Sequence, residues 1–89
     1  MSVHKDITKH STRQNQLVQK FMKLDEERER AIDEAVKLCQ AGEAFTTDRI
    51  NEATREINTL ARQGVVPQRK TVTVEMVEEY AARLNLNKQ

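Results

Sequence analysis

Four side chains able both to donate and to accept hydrogen bonds, Thr47, Asn51, Thr54 and Asn58, recur at spacings of four, three and four. On a helix that spacing stacks them into one polar ribbon. Such a ribbon suits hydrogen bonding to a partner helix or a ligand, and the plainer alternative is a solvated flank. The pair Ile-Asn occurs twice, at 50–51 and 57–58, and this repeat marks Asn51, Thr54 and Asn58 as the positions to test.

Cations form two clusters: Arg62, Arg69 and Lys70 in the second half, and Lys5, Lys9, Arg13, Lys20 and Lys23 in the first. Clustered cations are enough to contact phosphates, so nucleic-acid association is the second functional reading, with Arg62, Arg69 and Lys70 as its contacts. A helix-turn-helix does not fit, because the intervening connection is too long. The third helix would also lead with Glu75, Glu78 and Glu79, which repel a phosphate backbone.

The remaining reactive groups form no set. His4 and His10 do not share a helical face, and no HExxH motif or Cys/His cluster accompanies them. His10 reads instead as a polar interruption of an apolar stripe, whose titration would make association depend on pH. Cys39, the single cysteine, excludes an internal disulfide and reads as a buried, inert thiol. The acids run along a surface without a phosphate loop or a nucleophile elbow. The expectation is a protein that is not an enzyme and uses no cofactor or metal.

The elements that hold these residues are helical. Ser11 to Ala41 contains no Gly or Pro and stops at Gly42, the residue type that most often closes a helix. Val3, Ile7, His10, Gln14, Leu17, Phe21, Leu24, Arg28, Ala31, Ala35 and Leu38 follow a four-and-three spacing. That pattern carries the helix back to about residue 3, giving a long helix over 3–41. A second helix is expected over 47–63, with Thr46 as its cap, Phe45 and Ile50 as a hydrophobic staple, and Gly64 as its end. The same order of residue types returns at VTVEMVEE and opens a third helix over 74–86, with Val77, Tyr80, Ala81 and Leu84 as its buried face. The fold class is all-α: one domain over 1–89, a long N-terminal helix with two shorter helices packed against it in a three-helix arrangement.

Size and charge bound the function. Leu, Ile, Val and Phe make up 20 of 89 residues and the net charge is +1, which permits a modest core and excludes the layered pockets of larger enzymes. No apolar run is long enough for a membrane span, and the N-terminus lacks a leader pattern, so the expected location is the cytoplasm. Residues 1–24 carry five Lys or Arg against one Asp, and residues 25–34 carry six acids against two Arg. The basic half lies at the positive end of the helix dipole, an unfavourable placement that calls for compensation. A helix this long also overhangs a globule of about 12 Å radius of gyration. Both features point to an antiparallel homodimer in which the basic half of one long helix lies near the acidic middle of its mate. The interface residues would be His10, Gln14, Leu17, Phe21 and Leu24, and a further protein partner is compatible with the same surface.

VHKDITKHS, FMKLDEERERAI, FTTDRINEATREIN and VPQRKTVTVEMVEEYA resemble the YpbS-like proteins of Bacillus-type bacteria, a family of unknown function. The resemblance spans nearly the whole chain. It implies a cytoplasmic bacterial protein and brings no functional residues with it.

Overall fold

The computed structural model describes residues 2–87 and the side-chain surroundings of residues 12–86. Three helices follow one another: α1 (Ser2–Gln40), α2 (Asp48–Ala61) and α3 (Val74–Asn87). At 1.5 Å per residue α1 is about 58 Å long, and it sets the long dimension of a molecule measuring 63 × 24 × 15 Å. The radius of gyration, 17.8 Å, is well above the roughly 12 Å of a compact chain of this length.

Each helix ends for a local reason. After α1 the chain turns at Gly42, whose φ of +74° only glycine adopts without strain. Gly42 N–H donates to the Cys39 carbonyl at 3.1 Å and Glu43 N–H to the Leu38 carbonyl at 2.9 Å. These two bonds form a Schellman closure, which satisfies carbonyls the helix leaves open. Helix α2 begins one residue later than the sequence suggests, because its cap is Thr47, not Thr46. The Thr47 hydroxyl accepts from Asn51 Nδ2 at 3.3 Å instead of capping a backbone amide. This shift removes Phe45 and Ile50 from the staple positions, although both still pack into one hydrophobic cluster. At α3 the capping expectation is met: Thr73 Oγ1 accepts from Met76 N–H at 3.2 Å, and Val72 and Val77, on either side of the cap, are both buried.

Helix α2 runs antiparallel to α1. Its first turn places Ile50 with Ala35 and Val36, and its later turns place Ile57 and Leu60 with Leu24. Helix α3 also packs on α1, through Val77 and Ala81; its backbone stays apart from that of α2, and the two helices share one hydrophobic cluster through Ile50, Val77 and Ala81. The arrangement is one long helix with two shorter helices packed against it. Tyr80, expected on the buried face of α3, is 53% exposed. Met76 lies one turn before it and is exposed as well.

Two hydrophobic clusters lie along α1. One gathers Ala35, Val36, Ile50, Val72, Val77 and Ala81, with Cys39 and Leu84 at its edge; the other gathers Leu24, Ile57, Leu60 and Val66, with Leu17 and Phe21 at its edge. Cys39 is half-buried. Among the described side chains Leu17 is the first of α1 packed against the body, and Thr12 to Gln16 are exposed. No helix among the described residues is long and apolar enough to cross a membrane.

Candidate functional site

The polar ribbon of α2 fastens the connection between α2 and α3. Asn58 Oδ1 accepts from Arg69 N–H at 2.8 Å, and its Nδ2 donates to the Arg69 carbonyl at 3.0 Å. Two helical turns earlier Asn51 repeats the arrangement on Val72, at 2.8 Å and 2.9 Å. The register has a simple origin. Seven helical residues advance about 10.5 Å, and three residues of extended chain advance about 10 Å, so amides at 51 and 58 meet the backbone at 72 and 69. Each asparagine thus replaces one residue of a neighbouring strand, and the strap over 67–73 keeps its polar groups paired without belonging to a sheet.

Thr54, between the two asparagines, is 1% exposed. Its hydroxyl donates to the Ile50 carbonyl at 2.8 Å and accepts from Arg28 Nε at 2.8 Å. Arg28 Nη2 goes on to the Lys70 carbonyl at 2.8 Å. The arginine that interrupts the apolar stripe of α1 therefore joins all three parts: long helix, second helix and strap. Arg69 extends the tie, with Nε and Nη2 donating to the two Asp25 carboxylate oxygens at 2.9 Å and 3.2 Å. Its guanidinium also lies over the Phe21 ring, 5.2 Å from the centroid. The Arg69 hydrogen bonds hold the Asp25 carboxyl below its ordinary value of 3.8, against an opposing push from burial. Among the described residues no buried side-chain polar atom lacks a partner.

The sequence pointed to the ribbon through its spacing and the Ile-Asn repeat, but not to what the ribbon binds. Ile50 and Ile57 enter the core while the asparagines beside them grip the strap. The signal for Arg28 is a charge lodged within an otherwise apolar stripe, which in a folded chain calls for a partner; Asp25, at the start of the acidic run, carries no such signal.

The other suggested residues lie elsewhere. Of the three cations considered for phosphate, Arg69 is engaged by Asp25, whereas Arg62 and Lys70 are exposed. Leu24 is buried within this chain's own core, Leu17 and Phe21 are half-buried against it, and Gln14 is exposed. The side chains of His4 and His10 lie outside the described residues. Among the described residues no group of three His, Cys, Asp or Glu side chains is placed to hold a metal.

On the flank of the α1–α2 pair away from the strap lies an open groove of about 370 Å³. Its floor is Ala31 and Ala53, and its walls are Glu27, Arg30 and Glu34 from α1 with Arg49, Glu52 and Glu56 from α2. The one ion pair across it, Arg49 to Glu34 at 3.9 Å, is between well-exposed side chains, so it adds little stability. With four acids and two arginines, the lining is net negative. Its residues form no nucleophile–base pair and no cradle of backbone amides, so the groove has the character of a contact surface.

The family described as "Protein of unknown function (DUF2533)" matches residues 1–83. The uncharacterized protein YpbS of Bacillus subtilis (strain 168) is 49% identical over 82 residues, which cover 92% of this chain and 96% of that protein. No solved structure matches. The similarity thus runs through the long helix, the asparagine ribbon and the strap alike, and the chain belongs to the DUF2533 family, together with YpbS.

Proposed function

We propose that this protein is a non-catalytic helical interaction module that associates with itself through its long helix. The observation that carries this reading is the overhang of α1. The helix starts at Ser2, the described side chains from Thr12 to Gln16 are exposed, and Leu17 is the first described one packed on the body. Fifteen residues of α1, roughly 22 Å of helix, precede that contact. An isolated helix of that length is marginal in water, so a second surface is needed to hold it. A contact between identical surfaces related by a twofold axis is the commonest way for a small chain to supply one. The half-buried Leu17, Val18 and Phe21 and the exposed Met22 lie where the overhang leaves the body, and they extend the apolar surface available to a mate.

Light scattering on the full chain at micromolar concentration tests this. Twice the chain mass of 10.3 kDa is expected, and a species of single-chain mass at every concentration would overturn it. Nucleic-acid association through Arg62 and Lys70 is the weaker reading, since the third cation of that cluster is already paired to Asp25. Retention on DNA or RNA that falls steeply with salt would favour it.

A further inference from the structure

We infer that the overhanging part of α1 docks in the groove between α1 and α2 of a second copy of this chain, antiparallel to that copy's α1 and reciprocally. The inference rests on the self-association proposed above and specifies where the mate sits. Three observations carry it.

The groove flanks the more extensively packed of the two helix pairs, α1 and α2, and the strap is bonded to one side of that pair. Its alanine floor lets the backbone of a third helix approach closely, because no larger side chain stands between the walls. The charges are complementary. Residues 2–16 contain three Lys or Arg and one Asp, whereas the groove lining contains four Glu and two Arg. Glu27, Glu52 and Glu56 make no ion pair among the described residues. The lengths also match. Asp6, Arg13, Lys20, Glu27 and Glu34 stand at seven-residue intervals, nearly in line along one side of α1, and after Asp6 this line is basic at Arg13 and Lys20 and acidic at Glu27 and Glu34. An antiparallel copy with its twofold axis near Lys20 brings Arg13 of each chain to Glu27 of the other, at the mouth of the groove. Lys20 then meets its own copy at the axis, and Asp6 of each chain comes to Glu34 of the other. Both repulsions are costs of the arrangement, and the one at the axis gives it a distinctive signature.

The test is a pair of cysteines, Arg13→Cys with Glu27→Cys, in a Cys39→Ser background. Within one chain these positions are fourteen residues apart on a helix, about 21 Å. A disulfide needs Cα atoms within about 7 Å, so any bond between them must join two chains. Under mild oxidation the double variant is expected to run as a covalent dimer on a non-reducing gel, while each single variant stays monomeric on the gel. Charge variants supply an independent readout in the full chain: Glu27→Arg should weaken the dimer by about tenfold, Arg13→Glu combined with it should restore the affinity, and Lys20→Gln should tighten it. If light scattering shows a dimer but the double variant does not cross-link and the charge swap does not rescue, the groove docking is overturned while self-association stands. Cross-linking of a single-cysteine variant to itself would indicate a parallel or differently centred pair and would also overturn it. A wild-type chain that is monomeric at every concentration removes both readings.

Discussion

The two flanks of the α1–α2 pair are built from neighbouring residues and differ completely. On one flank Asn51 and Asn58 bond the strap, and Thr54 accepts from Arg28, itself bonded to the strap. On the other, Glu52 and Glu56, each beside or two residues from one of these, face an open groove floored by alanine. The first flank is finished within the chain; the second is not. Fold stability should therefore be concentrated on the strap side, leaving the groove side available for contacts between chains.

Substitutions can test this contrast in order of size. Ile57 is fully buried where α2 meets Leu24 and Val66. Ile57→Ala should cost about 2–5 kcal/mol through lost burial and the cavity left behind, enough to unfold much of so small a domain. Circular dichroism at 222 nm against urea measures it. Asn58→Ala removes both bonds to Arg69 and leaves backbone groups of the strap unpaired, so it should cost about 1–3 kcal/mol. Asn51→Ala should behave alike, with the pair departing from additivity because both hold one strap. A cost under about half a kcal/mol for both would mean the strap stands without its clasp.

Asp25→Asn should cost less, about 1 kcal/mol, since the ion pair with Arg69 remains partly exposed. Its dependence on pH has a definite sign. The folded carboxyl titrates below its ordinary value of 3.8, so its contribution is full above that value and is lost as pH falls through the lowered folded one. The wild-type advantage over Asp25→Asn in urea midpoint should therefore be constant from neutral pH to about pH 5 and close below the ordinary value. An advantage that grows on acidification would contradict the assignment. Smallest of all, Glu52→Ala and Glu56→Ala should change monomer stability by no more than about 0.5 kcal/mol. Asn51 and Glu52 are adjacent in sequence, so the ratio of their effects measures the asymmetry directly.

The fold was legible wherever a local rule applies. Gly42 and Gly64 both take the left-handed conformation that ends a helix, the four-and-three spacing on α1 marks its packed face, and the residue types at 72–77 form a true cap and staple. What was not legible depends on distances between elements. Thr46 and Thr47 are equally good caps by type, and the choice between them is made where the Asn51 amide reaches back to the Thr47 hydroxyl. Tyr80 fits a buried face by spacing, yet Val77, Ala81 and Leu84 alone of that face pack into the core, and Tyr80 is 53% exposed. The strap follows no period of its own. Its register lives in the match between three extended residues and seven helical ones, for which the repeated Ile-Asn was the only trace in the chain.

Amide hydrogen exchange at the strap tests the clasp most directly. Arg69 and Val72 N–H lie outside any helix, yet each donates at 2.8 Å to an asparagine carbonyl, so both should exchange slowly, at rates approaching those of the α2 core amides. Exchange of Arg69 and Val72 at the rates of open loop amides would show that the ribbon does not hold the strap, and the contrast between the two flanks would fall with it.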